Sequence, residues 1–189
     1  MDADDRAAGH DGILRQARRE DIAAIQRVRN SVRENRLVTR SIGDAEVQRY
    51  IELLGRGWVI EAGGEVVAFA IGDATIGNIW ALFVDPRHER RGFGRRLHDV
   101  MVDWLWSQGL EHLWLSTERG TRAEGFYRTA GWRDAGVTPH GERAFVRDRP
   151  AAAADCRPRP RLRVRDPRER LSRPEQGKVH RQAAAAAGG

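Results

Sequence analysis

The chain has 189 residues, of which 40% are hydrophobic, and a formal net charge of +6. This length allows one domain with a buried core. Cys156 is the only cysteine, which excludes an intrachain disulfide and a zinc site built from cysteines. No apolar run approaches a membrane span and the acidic start is unlike a signal peptide, so we expect a cytoplasmic protein without membrane contact.

The positive charge lies at the end of the sequence. From Pro150 onward there are ten Lys or Arg and four Asp or Glu, whereas the preceding 149 residues carry 23 of each. We expect a folded domain over residues 1–149 and a disordered Arg/Pro/Ala-rich tail over residues 150–189. Nucleic acid is therefore not an expected partner of the domain, and only the tail arginines could contact it weakly.

The sequence up to about residue 57 predicts one strand and two helices. After a polar, frayed start, residues 13–17 are typical of a short edge strand, and a helix is expected from Asp21 to about Glu34. Cap signals over residues 41–44 introduce a second helix, which we expect Gly55 and Gly57 to end. Its apolar face comprises Val47, Tyr50, Ile51 and Leu54.

Three antiparallel strands follow. Residues 58–61 and 66–71 are apolar runs joined through Gly63-Gly64, a strong hairpin signal. After a turn at residues 75–78, residues 79–84 are apolar without alternation, as in a strand covered on both faces. This strand should be central in its sheet.

The second half predicts a strand–helix–strand unit. A long amphipathic helix begins near Gly92, with a stripe formed by Phe93, Leu97, Val100, Met101, Trp104 and Leu105. A strand over residues 110–116, a short helix over 121–129, a strand after Gly131-Trp132 and a closing strand over 142–146 complete the domain. The pattern predicts an α/β fold with a mixed, mostly antiparallel sheet flanked by helices.

Gly92 and Gly94 stand where a buried strand turns into a helix. The first amides of a helix lack intrahelical acceptors and lie at the positive end of its dipole, so this turn could hold a diphosphate through main chain. A lone pair of glycines is more often only a turn. The dinucleotide fingerprint needs a third glycine, where Leu97 stands, and the phosphate loop of nucleotide hydrolases is absent.

Two motifs carry a family resemblance. The stretch from Glu89 through Gly92 to Gly94 resembles the acetyl-CoA-binding motif of the GNAT N-acetyltransferases, although Glu89 replaces the usual Gln or Arg. The second motif resembles the family's helix ending in Tyr followed by Gly-Phe, although Gly120 replaces a frequent Asn. Its matching residues are Ala123, Phe126, Tyr127, Gly131 and Trp132.

The resemblance implies an acetyl-CoA-dependent N-acetyltransferase with a splayed parallel strand pair that admits the pantetheine arm. Main chain of Leu82, Phe83 and Val84 would contact that arm, and the diphosphate would be held by Arg90, Arg91, Gly92, Phe93, Gly94, Arg95 and Arg96. Tyr127 matches the family's general acid, and a phenol of pKa about 10 remains protonated at neutral pH while a thiolate of about 8.5 leaves. Without the resemblance, Tyr127 would be interpreted as a core aromatic beside Phe126.

The acceptor would be a primary amine on a small molecule or a protein, and a homodimer is compatible with the family. Arg29, Arg33, Glu34, Asn35 and Trp80 stand where the resemblance implies the acceptor wall, although a solvated helix end is the alternative for the first four. No metal is expected. The general base is left open among Glu34, Glu61, Asp73, Glu118, Glu142, His88, His112, His140 and water. The alternative function is a catalytically silent acyl-CoA sensor or interaction module.

Overall fold

The structure, a computed structural model, describes residues 12–32 and 42–150. The predicted frayed start, the segment 33–41 and the predicted tail after Pro150 lie outside the described residues. The elements in chain order are β1 Ile13–Gln16, α1 Ile22–Ser31, α2 Asp44–Arg49, β2 Gly55–Ala62, β3 Glu65–Asp73, β4 Asn78–Val84, α3 Phe93–Ser107, β5 His112–Thr117, α4 Arg122–Thr129, β6 Arg133–Val137 and β7 Arg143–Asp148. Tyr50–Leu54 forms a π-helical turn that extends α2.

The strands form a seven-stranded sheet in the order β1-β2-β3-β4-β5-β7-β6. Every pairing is antiparallel except β4 with β5. The mixed, mostly antiparallel sheet is therefore confirmed. β4 is its middle strand and all seven of its residues are buried, as the unbroken apolar run predicted.

Helices cover both faces of the sheet. One core layer packs α3 and α4 against the sheet, with Leu82, Leu97 and Tyr127 among its members. The other layer packs α1 and α2 against the opposite face, with Ile25 and Trp80 among its members. Successive β4 side chains enter different layers except Trp80 and Ala81, which both pack in the layer of α1.

The hairpin between β2 and β3 is confirmed. Gly63 and Gly64 have φ of +60° and +80°, the left-handed pair that a tight two-residue turn requires, and Ala62 pairs with Glu65 across it.

The predicted end of the second helix at Gly55 is confirmed, since Gly55 is the C-cap of the π-helical turn, whereas the predicted end of α1 was wrong. α1 ends at Ser31, because Val32 is already extended, and not near position 34. Gly57 does not end a helix; it lies inside β2, where a Cβ would come within 2.7 Å of the Ile51 side chain. Gly55 also belongs to β2, and a Cβ there would collide with the Gly72 carbonyl. These glycines allow close approach to neighbouring elements.

The buried stripe of α3 differs from the prediction. Val100 and Trp104 are only partly buried, whereas His98, Val102 and Trp106 are buried. The helix is covered more widely than a narrow stripe because α4 and the segment around Trp132 pack on one side of it. The last strand also differs: β7 inserts between β5 and β6, so β6 forms the sheet edge.

The parallel pair β4–β5 is splayed. Its register contains one pair, Asn78 with Trp114, secured by the Trp114 amide donating to the Gly77 carbonyl at 2.9 Å. The Asn78 side-chain amide also donates to the Trp114 carbonyl at 3.1 Å. Beyond this pair, neither β5 nor any other strand among the described residues pairs with the edge of β4 that faces β5. A bulge at Trp80 bends β4 at the start of this gap, because Ile71 pairs with Ala81 while Gly72 pairs with Ile79.

Candidate functional site

The gap between β4 and β5 is lined by main chain. Leu82 and Val84 point into the core layer of α3, and Phe83 points into the layer of α1, each almost fully buried. Only peptide groups of these three residues can therefore face the gap. An amide-containing chain that enters it could continue the interrupted ladder of hydrogen bonds.

The gap leads to the N-terminus of α3. Gly92 is the N-cap with φ of +75°, and its carbonyl accepts from the Arg96 amide at 3.1 Å. The amides of Phe93, Gly94 and Arg95 donate to no main-chain carbonyl within the described ranges. A Cβ placed on Gly92 would meet nothing within 4 Å, so no protein atom crowds the N-cap on that side. This arrangement suits an oxyanion.

Four arginines surround this turn, and all are exposed. Arg90 itself has φ of +63°, an uncommon conformation for a residue with a side chain. The Arg95 guanidinium lies 5.2 Å from the Phe126 ring, and Arg96 donates to the Gly12 carbonyl at 2.9 Å. Arg95 thus joins the turn to α4.

Glu89 is paired with Arg122 of α4. The guanidinium of Arg122 donates to both carboxylate oxygens, at 2.5 and 3.2 Å, and the Glu89 side chain is only 11% exposed. The pair borders a cavity of about 480 Å³ between the end of α1 and the loop after β4. The cavity is lined by Ser31, Val32, Asp85, Pro86, Arg87, Glu89 and Arg122.

Tyr127 lies beneath α3 and is fully buried. Its ring packs against Phe126, Trp132 and Phe145 at centroid distances of 5.2, 5.6 and 5.9 Å. The hydroxyl is buried and has no hydrogen-bond partner in the part of the chain that the structure describes. Burial raises the pKa of the phenol far above its usual value, so the hydroxyl stays protonated at neutral pH.

His98 of α3 belongs to the same cluster and was missed by the sequence reasoning. It is fully buried, and its ring centroid lies 6.4 Å from that of Tyr127. Its Nε2 accepts from the Trp132 indole at 2.9 Å, and its Nδ1 contacts Asp99 at 2.7 Å. A histidine directly after Leu97, within the apolar pattern of α3, was the signal that could have identified it.

Arg29 and Trp80 come together on the opposite face of the sheet, in the layer of α1. The Arg29 guanidinium lies 5.3 Å from the Trp80 ring, and Tyr50 stacks on Trp80 with a centroid distance of 4.2 Å. The structure therefore places Arg29 and Trp80 on one side of the β4 edge and Tyr127 on the other. Arg33, Glu34 and Asn35, also predicted at this wall, lie outside the described residues.

The candidate bases are mostly engaged in structural contacts. Glu61 pairs with Arg15 at 2.6 Å, Asp73 accepts from Thr75, and His112 contacts Asp148 at 2.7 Å. Glu142 accepts from the Ser116 hydroxyl at 2.8 Å, so it alone of the four is attached to the part of β5 that borders the gap.

Neither a metal centre nor a membrane segment emerges from residues 12–32 and 42–150. In these ranges no three His, Cys, Asp or Glu side chains cluster as metal ligands would. The same ranges contain no helix with the length and apolarity needed to cross a bilayer.

Comparison with known sequences gives one family. The model of the Acetyltransferase (GNAT) family matches residues 25–132, which include both motifs and the strands that flank the gap. Among curated proteins, the ribosomal protein bS18-alanine N-acetyltransferase of Escherichia coli K12 is 30% identical over 77 residues, 39% of this chain and 52% of that protein. The chain thus matches about half the length of this relative.

Solved structures share the fold. The PaiA N-acetyltransferase of Thermoplasma acidophilum, in complex with coenzyme A, has a TM-score of 0.64 at 12% identity and covers 74% of this chain and 99% of its own. YncA of Salmonella typhimurium, solved with its cofactor acetyl-CoA, has a TM-score of 0.61 at 19% identity, with 76% and 96% covered.

Proposed function

The chain belongs to the GNAT acetyltransferase family, and from that premise we propose that it transfers an acetyl group from acetyl-CoA to a primary amine. The amine attacks the thioester directly in a ternary complex. Holding both reactants in a shared gap replaces a bimolecular encounter, an effect worth up to roughly 7 to 11 kcal/mol in well-oriented systems.

The observation that carries this proposal is the unpaired edge of β4, which runs from the Asn78–Trp114 pair toward the open amides at the start of α3. Peptide groups of Leu82, Phe83 and Val84 suit the amides of a pantetheine arm. The amides of Phe93, Gly94 and Arg95 suit a diphosphate, and the exposed arginines around Gly92 add positive charge. These residues fit coenzyme A through main chain.

Tyr127 is proposed as the general acid. The buried hydroxyl has no protein partner within the described ranges, so its proton is not committed to a structural hydrogen bond. Acetyl-CoA supplies the activated acyl group, and as the C–S bond breaks the departing sulfur takes the Tyr127 proton. Burial raises the pKa of Tyr127, so the phenol carries its proton at neutral pH when the thioester binds.

The attacking nitrogen must lose a proton before or during attack. Glu142, held by Ser116 on β5, or water is proposed to accept it. For the acceptor, the bS18-alanine N-acetyltransferases offer a precedent in which a protein is the substrate. We propose a primary amine of a protein or a small molecule.

Free thiol release from acetyl-CoA across a panel of primary amines tests the proposal. The parent protein should release thiol with at least one amine, and Tyr127→Phe should lower kcat by about 10²-fold or more while leaving the Kd for coenzyme A unchanged. Binding of coenzyme A without thiol release for any amine would instead support the acyl-CoA sensor. An equal loss of binding and turnover in Tyr127→Phe would assign the tyrosine to packing.

A further inference from the structure

Arg29 is a buried cation without an ion-pair partner among the described residues. Its residue exposure is 5%, and Glu46 influences it only by longer-range attraction. Burial lowers the pKa of Arg29 to about 10, which still leaves it charged at neutral pH. An isolated buried charge costs several kcal/mol of stability, so an unpaired arginine at this position calls for an explanation.

The guanidinium presents one complete unoccupied edge. Nη1 donates to the Gln26 side chain at 2.6 Å, and Gln26 in turn donates to the Ile42 carbonyl at 2.7 Å and to Asp44 at 3.1 Å. Nε and Nη2 are buried and have no acceptor in the described part of the chain. Their N–H groups lie side by side on the planar fork, which is the geometry that binds a carboxylate through two parallel hydrogen bonds.

Aromatic faces explain how the cation tolerates this environment. The Arg29 Cζ atom lies 5.3 Å from the Trp80 ring and 5.7 Å from the Phe69 ring. These faces stabilise the positive charge without using any N–H donor. Gln26 and the two rings therefore fix the orientation of the guanidinium, and its Nε and Nη2 donors stay without an acceptor in the described part of the chain.

Two residues near Arg29 border the proposed active site. Arg29 stands three residues before Val32, which lines the 480 Å³ cavity together with Asp85 at the end of β4. Trp80 is the bulge residue where β4 separates from β5. Arg29 thus lies on the face of the sheet opposite Tyr127, beside the point where the gap begins.

We propose that the Nε–Nη2 edge of Arg29 binds a carboxylate of the amine acceptor, so that the enzyme prefers acceptors that carry an acid. This inference rests on the proposed function. A carboxylate fits better than a phosphate because the site offers one positive charge and two parallel donors, which match one monoanion with two oxygens.

Binding can be measured without catalysis. In the full chain saturated with coenzyme A, succinate should raise the Tm, and the neutral isostere succinamide at matched ionic strength should not. Arg29→Gln and Arg29→Lys should both lose the response, because lysine keeps the charge but lacks the planar fork. Arg27→Gln, an exposed neighbour on α1, is the matched control and should retain it. No succinate response in the parent, or an unchanged response in Arg29→Gln, overturns the inference.

Kinetics test the same point on substrates. Among acceptors paired as acid and amide, such as the C-terminally amidated dipeptides Ala-Glu-NH2 and Ala-Gln-NH2, the parent should favour the acid in kcat/KM by about 10-fold or more, and Arg29→Gln should abolish the difference. Thiol release without any acid preference would overturn the inference and leave the proposed function intact. Absence of thiol release with a succinate response that depends on Arg29 would overturn the proposed function and leave Arg29 as a carboxylate-binding residue only.

Discussion

Trp132 donates its indole N–H to Nε2 of His98 at 2.9 Å, which joins the third residue after α4 to the second turn of α3. The bond requires an unprotonated Nε2, so the proton of the neutral ring is on Nδ1, where it faces Asp99. Trp132 also packs edge-on against Tyr127. His98 therefore helps to fix the aromatic cluster that surrounds the proposed general acid.

His98 makes stability depend on pH. Burial lowers the pKa of His98, and the hydrogen bond to Asp99 only partly opposes this effect. Above the unfolded pKa of about 6.5 the ring is neutral in both states, and as pH falls below it the unfolded chain takes up a proton that the folded one resists. The free energy of unfolding should therefore fall between about pH 6.5 and 5, with a slope of up to about 1.4 kcal/mol per pH unit.

Denaturant titrations of the parent and His98→Gln across this range test the effect. The glutamine variant does not titrate there, so subtraction isolates the contribution of His98. Parallel profiles for the two proteins would show that His98 titrates similarly in both states.

Tyr127→Phe should separate catalysis from stability. The buried hydroxyl has no partner among the described residues, so its removal relieves a desolvation penalty of roughly 1 to 3 kcal/mol and retains the ring. We expect an unfolding free energy equal to or above that of the parent, together with the lower kcat. Tyr127→Ala, which removes the ring from the core, should cost about 3 to 5 kcal/mol. A clear destabilisation by Tyr127→Phe would reveal a hydrogen bond to the hydroxyl in solution.

The sequence predicted the sheet because its signals are local. The apolar run of β4, the Gly63-Gly64 turn and the Gly92 turn each follow from a few adjacent residues. The position of β7 between β5 and β6 did not follow, because it depends on pairing between distant segments. The roles of Gly55 and Gly57 were also hidden, since they depend on the approach of β3 and the Ile51 side chain.

Some features of the candidate site could also be predicted from local sequence signals, and others could not. The helix start at Gly92 and the position of Tyr127 in α4 could be inferred from motifs. The unoccupied edge of Arg29 could not, because a helix pattern does not show whether Gln26 occupies one donor and leaves the others unpaired. His98 was missed for a similar reason, since its partner Trp132 lies 34 residues away.

Gly92→Ala should weaken binding of coenzyme A. A φ of +75° disfavours alanine, and the new methyl group would stand at the N-cap, next to the amides proposed to hold the diphosphate. We expect a stability loss of about 1 kcal/mol and a Kd for coenzyme A raised about tenfold, as for loss of a hydrogen bond to a charged group.

Gly109→Ala is the matched control for Gly92→Ala. Gly109 follows the other end of α3 and has φ of +85°, and a Cβ placed on it would likewise meet nothing within 4 Å. The Gly109→Ala variant should lose a similar amount of stability but keep the parent's affinity for coenzyme A, which calorimetric titration would measure. Equal affinities for the two variants would place the diphosphate elsewhere.

Arg122 should support binding of coenzyme A by neutralising Glu89. Arg122→Met leaves a carboxylate that is only 11% exposed beside the proposed diphosphate site, and the repulsion should raise the Kd several-fold. Glu89→Gln should leave affinity equal or improved, and in the double variant it should restore most of the loss. Arg128→Met, on the same helix but paired with Asp134, is the control and should leave the Kd unchanged. A coupling free energy of about 0.5 to 3 kcal/mol is expected from the double-mutant cycle, and simple additivity would show that the Glu89 charge does not act on the diphosphate.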